Sequence, residues 1–201
     1  MVEIESFIGG GFSSNVFLVK ADKNFLVDTG TSAGILQRLY CEVDRIIFTH
    51  RHFDHTGGAP KILDSLDLPM YAHPLEAEAL RNGDDVSIIS RSFGKKMPEL
   101  PVKDIEDEYC GFRIIHTPGH TDGSICLYHP SEKILISGDT VFPGGGVGRT
   151  DLPTGSMSEL VNSVKMLTGY QVDSIYPGHM MAVEENGDKH IELSLRNISY
   201  L

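Results

Sequence analysis

Short runs of β-branched and aromatic residues alternate with polar turns along the first part of the chain. Val2 to Phe7 alternates well enough to predict a strand, and Gly9-Gly10-Gly11 breaks it before Asn15 to Lys20 resumes the pattern. Asn24 to Val27 follows the polar turn at Asp22-Lys23, so an antiparallel hairpin or meander is expected at the start. Asp28-Thr29-Gly30 ends that strand, and a helix is expected from about Ser32 to Leu39. Arg45 to Thr49 reads as a buried strand, and Ala59 to Leu66 places Ile62, Leu63 and Leu66 on one helical face. Pro69 to Ala72 is a short strand, and Pro74 to Leu80 a short helix with proline at a tolerated first-turn position.

From about Arg81 to Leu100 the periodicity fails, with Asn82-Gly83-Asp84-Asp85 as a breaker and Phe93, Met97 and Leu100 as scattered hydrophobes. A loop with some helix is expected there, shaping access to a site instead of holding the core. Strands resume at Phe112 to His116, Ser124 to Tyr128 and Ile134 to Ser137, followed by an amphipathic helix over Met157 to Leu167. Ser174 to Tyr176 is a last short strand before a C-terminal helix from about Lys189 to Ser199. The pattern repeats: each half runs through several strands and then strand, ligand-bearing loop and helix. That suggests two αβ halves whose sheets pack face to face with helices outside, and no solenoid period is present.

With 201 residues and 40% apolar composition, the chain can bury a sizeable core, and a single domain over 1–201 is expected. The formal charge of −11 disfavours a general phosphate-backbone binder, so no nucleic-acid partner is expected. No run is long enough to span a bilayer, and Met1-Val2-Glu3-Ile4-Glu5 lacks the basic start of a signal peptide, so a soluble, cytoplasmic protein is expected. Cys41, Cys110 and Cys126 are odd in number without zinc-finger spacing and read as reduced, mostly buried thiols.

The chemistry concentrates in Thr49-His50-Arg51-His52-Phe53-Asp54-His55-Thr56-Gly57-Gly58, directly after a buried strand. Histidine nitrogens and carboxylate oxygens hold divalent first-row metals, and an irregular loop can aim several donors at one spot. Three later turns share a grammar in which glycine stands beside one donor at a strand end: Thr117-Pro118-Gly119-His120-Thr121, Gly138-Asp139-Thr140 and Tyr176-Pro177-Gly178-His179. Together the donors are His50, His52, Asp54, His55, His120, Asp139 and His179, too many for one tetrahedral ion and suited to two ions sharing a carboxylate and a bridging hydroxide. His73, His116, His129 and His190 fall outside this grammar and read as structural or exposed. Asp28 either caps the following helix or steadies a metal-binding histidine. The glycine triplet at 9–11 lacks the residues of a phosphate loop and reads as a turn.

In that order, His-x-His-x-Asp-His, Thr-Pro-Gly-His-Thr, Gly-Asp-Thr and Pro-Gly-His resemble the metallo-β-lactamase superfamily, and within it the short glyoxalase II-like (hydroxyacylglutathione hydrolase-like) enzymes. The resemblance runs from about Asn15 to His179. It implies a four-layer αβ/βα sandwich with mixed sheets and the metal site at one edge. It also implies that His50, His52 and His120 bind one ion, Asp54, His55 and His179 the other, and Asp139 bridges them. The ions are expected to be zinc, with iron or manganese as alternatives. The implied activity is hydrolysis of a small-molecule thioester or related ester, with Asp54 orienting the nucleophile and carrying a proton. The alternative is an enzyme similar to the mononuclear iron persulfide dioxygenases, since His50, His120 and Asp139 make a two-histidine, one-carboxylate set. Gly148-Arg149-Thr150-Asp151 resembles a motif of both groups, and Arg149 with Asp151 is expected to form a supporting ion pair. Glyoxalase II proper draws much of its glutathione site from a C-terminal region. After His179 this chain offers Lys189, Arg196 and Tyr200, and weak glutathione binding is expected.

Overall fold

Phe25–Val27 (β3) and Arg45–Ile47 (β4) pair in parallel, Phe25 opposite Arg45 and Val27 opposite Ile47. Strands covered on both faces must be apolar throughout, and Phe25, Leu26, Val27, Ile46 and Ile47 are all fully buried. A computed structural model describes residues 2–39 and 41–199, and the chain divides into two compact units, Met1–Ile105 and Glu106–Leu201.

In the first unit, Glu3–Phe7 (β1) and Val16–Lys20 (β2) join β3 in the expected antiparallel meander. Met70–Ala72 (β5) and Val102–Asp104 (β6) extend β4 in parallel, giving the order β1-β2-β3-β4-β5-β6. Parallel neighbours need crossovers. The β4–β5 connection carries Phe53–Thr56 (α1) and Ala59–Leu66 (α2), and the β5–β6 connection carries Pro74–Arg81 (α3). The helix expected near Ser32 is a 3-10 turn, Ala33–Gln37, with Ser32 at its cap in place of Asp28. Helix α2 has the expected bounds and buries Ala59 and Ile62, but Leu66 is exposed, so its apolar face is narrower than the spacing implied.

The segment after α3 does more than border a site. Ile88, Met97 and Leu100 belong to the core of this unit, which corrects the expectation that 81–100 leaves the core alone. Its turns are built on two carboxylates: Asp84 accepts from Ser87 Oγ at 2.7 Å, and Asp85 from Ser90 Oγ at 2.7 Å and Met97 N at 3.0 Å. The Ser87 hydroxyl holds the Asp84 carboxyl, and the Met97 amide the Asp85 carboxyl, below the ordinary carboxylate range. Their support is therefore present at neutral pH and is lost as pH falls through these lowered values.

In the second unit Glu108–Tyr109 (β7), Phe112–His116 (β8), Ile125–His129 (β9) and Ile134–Gly138 (β10) form an antiparallel meander. The small hairpin of Val141–Phe142 (β11) and Gly146–Val147 (β12) follows, then Met157–Leu167 (α4), Ser174–Pro177 (β13) and Gly187–Ile198 (α5). β13 lies parallel to β10, so the sheet reads β13-β10-β9-β8-β7. Leu160, Val164 and Leu167 of α4 share a core with Ile191 and Ile198 of α5 and with Leu135 and Ile175 of the sheet. Cys126 is buried, which pushes its thiol up to about 11, while Cys41 and Cys110 are half-buried and form no disulfide. No helix among the described residues is long and apolar enough to cross a membrane.

Candidate metal centre

Apart from His120, which follows the antiparallel β8, the donors hang from the carboxyl ends of parallel strands, where open α/β sheets present their ligands. In the first unit β3 ends at Asp28 and β4 leads into Thr49 and His50. His50 and His52 lie in the loop, whereas Asp54 and His55 sit in the single turn of α1. The expected irregular loop is thus half helical. Thr56 Oγ closes that turn by donating to the carbonyls of Arg51 and His52, both at 3.1 Å. The His50 ring centroid lies 4.7 Å from that of His52 and 4.0 Å from that of His55, and Asp54 Oδ2 is 3.7 Å from His55 Nε2. Gly57 and Gly58 do not mark a sharp turn. Gly58 has φ −79°, and glycine is needed because a Cβ would come within 2.6 Å of the Ser32 carbonyl oxygen.

Asp28 is the steadying residue, not a helix cap. Its Oδ1 accepts from Thr49 N at 2.8 Å, and its Oδ2 from Thr49 Oγ at 2.8 Å and His55 Nδ1 at 2.7 Å. A carboxylate only accepts, so His55 carries its proton on Nδ1. Thr49 spends its one hydroxyl proton on Asp28, so it accepts from His50 Nδ1 at 3.2 Å and fixes that ring in the same tautomer. Both rings are left with a lone pair on a buried Nε2, the atom that ligates a metal. Replacing Asp28 by asparagine sets an amide donor against His55 Nδ1 and drives the proton to Nε2. The expected result is a loss of metal affinity of about 10–100-fold, read by competition with a chromophoric chelator. An unchanged affinity would show that Asp28 does not set the tautomer.

The second unit supplies His120, Asp139 and His179. Asp139 follows β10 and His179 follows β13, and Gly178 N donates to Gly138 O at 2.8 Å across the two strand ends. Asp139 Oδ2 is 3.6 Å from His120 Nε2 and 3.6 Å from His179 Nε2. That is too long for a hydrogen bond and close to the roughly 3.4 Å separating two ligands on one tetrahedral ion with bonds of about 2.1 Å. His120 Nδ1 donates to the Arg149 carbonyl at 2.7 Å, so its Nε2 also holds the lone pair. A Cβ on Gly148 would sit 2.0 Å from the Asp139 carbonyl oxygen and 2.9 Å from His120 Nδ1, so only glycine fits. The Ser163 hydroxyl of α4 donates to Pro118 O at 2.7 Å and steadies the turn that carries His120.

Within each unit the predicted donors are therefore brought together, four in the first and three in the second. Imidazole-rich sets completed by carboxylates suit zinc or iron, and the enforced Nε2 lone pairs fit such an ion. Arg149 and Asp151 pair as expected, Nε to Oδ1 at 2.7 Å and Nη2 to Oδ2 at 2.6 Å, and the pairing takes the exposed Asp151 carboxyl down to about 2. The remaining histidines are structural. His73 caps α3, His116 Nε2 donates to Asp122 O, His129 packs on Phe112, and His190 accepts from Gly144 N. His190 is half-buried, not exposed as expected.

Sequence reasoning missed the anchor of the ligand loop. Arg51, between the candidate donors His50 and His52, is buried and pairs with the fully buried Glu76 of α3: Nε to Oε2 at 2.6 Å and Nη2 to Oε1 at 3.2 Å. Glu76 Oε2 also accepts the Arg51 amide at 2.8 Å. As an acid in a first helical turn, Glu76 looks in sequence like any exposed helix start.

A family model described as the metallo-beta-lactamase superfamily matches residues 9–179. A probable metallo-hydrolase of Methanocaldococcus jannaschii is 41% identical over 85% of this chain and 89% of its own. A human acyl-coenzyme A thioesterase is 29% identical, covering 87% of this chain and 76% of its own. A hydroxyacylglutathione hydrolase of Hydrogenovibrio crunogenus is 32% identical over 77% of this chain, which spans 53% of that relative. Among solved structures, a crystal structure of a di-iron-bound form superposes with a TM-score of 0.81 at 29% identity, covering 98% of this chain and 100% of the other.

Proposed function

Because the chain belongs to the metallo-β-lactamase superfamily and has its fold, we propose that it is a dinuclear metal hydrolase that cleaves thioesters. In this reading His50, His52 and His120 hold one divalent ion, Asp54, His55 and His179 hold the other, and Asp139 is shared. The observation that carries it is the enforced Nε2 lone pair on His50, His55 and His120, together with, in the second unit, an Asp139 carboxylate equidistant from two imidazoles. Zinc is the expected metal, and the di-iron form of the structural relative makes iron the second choice.

Ions bound there supply Lewis acidity and lower the pKa of water to near neutrality, so no serine or cysteine nucleophile is required. That suits Cys126, whose thiol is buried and held protonated. The Asp54 carboxylate orients the attacking water and takes its proton. The water oxygen adds to the acyl carbonyl carbon, the carbon–sulfur bond breaks, and the proton passes to the departing thiolate. Thioesters are favoured over other esters because two relatives are a coenzyme A thioesterase and a hydroxyacylglutathione hydrolase, which share that bond and differ in its carrier.

Purified protein with its metal content measured should release thiol from acyl-coenzyme A or acyl-N-acetylcysteamine thioesters, at two ions per chain. Hydrolysis of a β-lactam with no thioester turnover would overturn the assignment, as would a single iron with oxygen uptake.

A further inference from the structure

His52 is held on both flanks by one short segment of the chain. Arg51, before it, donates from Nη1 to Ser87 Oγ at 3.3 Å, and Phe53, after it, donates its amide to the Ile88 carbonyl at 2.8 Å. The other edge of the Arg51 guanidinium is taken by Glu76, so this one side chain joins the ligand loop to α3 and to the turn that follows α3. Arg51, Ser87 and Ile88 are all buried, where hydrogen bonds are stronger than in water.

The Ser87 hydroxyl has one proton, which it gives to Asp84 Oδ2 at 2.7 Å, leaving its lone pairs for Arg51. The same logic serves His50, where Thr49 spends its proton on Asp28 and accepts from the ring. Asp84 O accepts the Ile88 amide at 2.9 Å and closes residues 84–88 into a turn. The next residue shows that the shape of this turn is imposed. Ile89 stands at φ 55°, ψ 20°, a region that a β-branched residue occupies only where its surroundings hold it. Those surroundings are Ile88, fully buried in the core, and Ser90, whose Oγ donates to Asp85 Oδ1 at 2.7 Å. The carbonyl that receives the Phe53 amide belongs to the peptide unit entering Ile89, so the strained torsion sets its direction relative to the pinned residue that follows.

We propose that Asp84, Ser87 and Ile88 form a positioning clamp for His52, acting through Arg51 and Phe53, and that the clamp sets the affinity of the ion His52 would hold. The proposal rests on the metal reading above and goes beyond it, because none of the three residues is a candidate donor or belongs to the ligand motif. Asp84 lies at the surface, so the support of the centre reaches from solvent to the ligand loop through one hydroxyl and one guanidinium.

The test titrates metal-free protein with zinc in competition with a chromophoric chelator. Circular dichroism confirms the fold, and the metal-free form is melted alongside. Ser87→Ala is expected to weaken zinc binding about tenfold, the low end for an outer partner of a metal site, and Asp84→Ala to do the same. Val86→Ala, which trims an exposed side chain between them, should leave affinity as it is. A hydroxyl that only stabilised its own turn would lower the melting temperature and leave zinc affinity alone. Arg51→Met with Glu76→Leu removes the guanidinium, and in that background Ser87→Ala should no longer change zinc affinity. The comparison of affinity with melting decides by itself if that background does not fold. Unchanged affinity in Ser87→Ala, or the same loss with and without the guanidinium, overturns the proposal while the metal centre stands. Wild-type protein that takes up neither zinc nor ferrous iron removes the underlying reading itself.

Discussion

Asp139→Ala is expected to leave the protein with neither ion and without measurable hydrolysis, while His179→Ala loses mainly one. The carboxylate is nearly buried, and its Oδ2 stands 3.6 Å from the Nε2 atoms of both His120 and His179. An orienting partner that never touches the metal is worth about 10–100-fold in affinity, so removing a shared ligand should cost each ion more than about a hundredfold. The alanine also leaves Asp54 as the one carboxylate of the proposed set to offset two dications in a low-dielectric site. Metal per chain after gel filtration decides the matter, with circular dichroism to confirm the fold. Asp139→Ala protein that retains two ions would show that the carboxylate is not shared, and the dinuclear assignment would fall.

Glu76→Ala is expected to cost about 3–5 kcal/mol of stability, because it leaves the buried Arg51 guanidinium without its counter-ion. Domains are typically stable by about 5–15 kcal/mol, so this is a large share of the total. At about 2–4 °C per kcal/mol for a chain of this size, the melting temperature should fall by roughly 6–20 °C. The same change removes the acceptor for the Arg51 amide at 2.8 Å, so the peptide between His50 and His52 is released as well. Metal affinity should therefore drop together with stability, although Glu76 touches no ligand in the contacts described. Two further variants separate charge from packing. Glu76→Gln keeps an acceptor and should recover part of the loss, and the double change Arg51→Met, Glu76→Leu should recover most of it, since a well-packed apolar pair often equals a buried ion pair. If Glu76→Ala melts with the wild type, the pair is not an anchor.

The candidate donors stood out in the sequence as a set: a Gly-His or Gly-Asp turn is common alone, but three of them following His-x-His-x-Asp-His point to one chemistry. Helices α2 and α4 were legible because apolar residues recur at helical spacing and turn residues bound them. What failed to show was structure held by the backbone or by long-range burial. β7, β11 and β12 are two residues each, too short for any alternation to register. Ile88 and Met97 reach the core through turns closed on Asp84 and Asp85, so no period relates them. The carbonyl of Arg149 orients His120, and a carbonyl has no letter in the sequence. Glu76 is hidden for the opposite reason, since a charged residue in a helix start is assigned to solvent until its partner is seen.

The bond from Gly178 N to Gly138 O makes the spacing of the two residues that follow a property of the main chain. Asp139 and His179 follow neighbouring parallel strands, so their spacing is set by the interval between strands, about 4.8 Å in any sheet. That gauge belongs to the main chain and is untouched by exchange of side chains around it. Exchange of side chains in the surrounding loops therefore leaves the spacing of Asp139 and His179 where the sheet sets it.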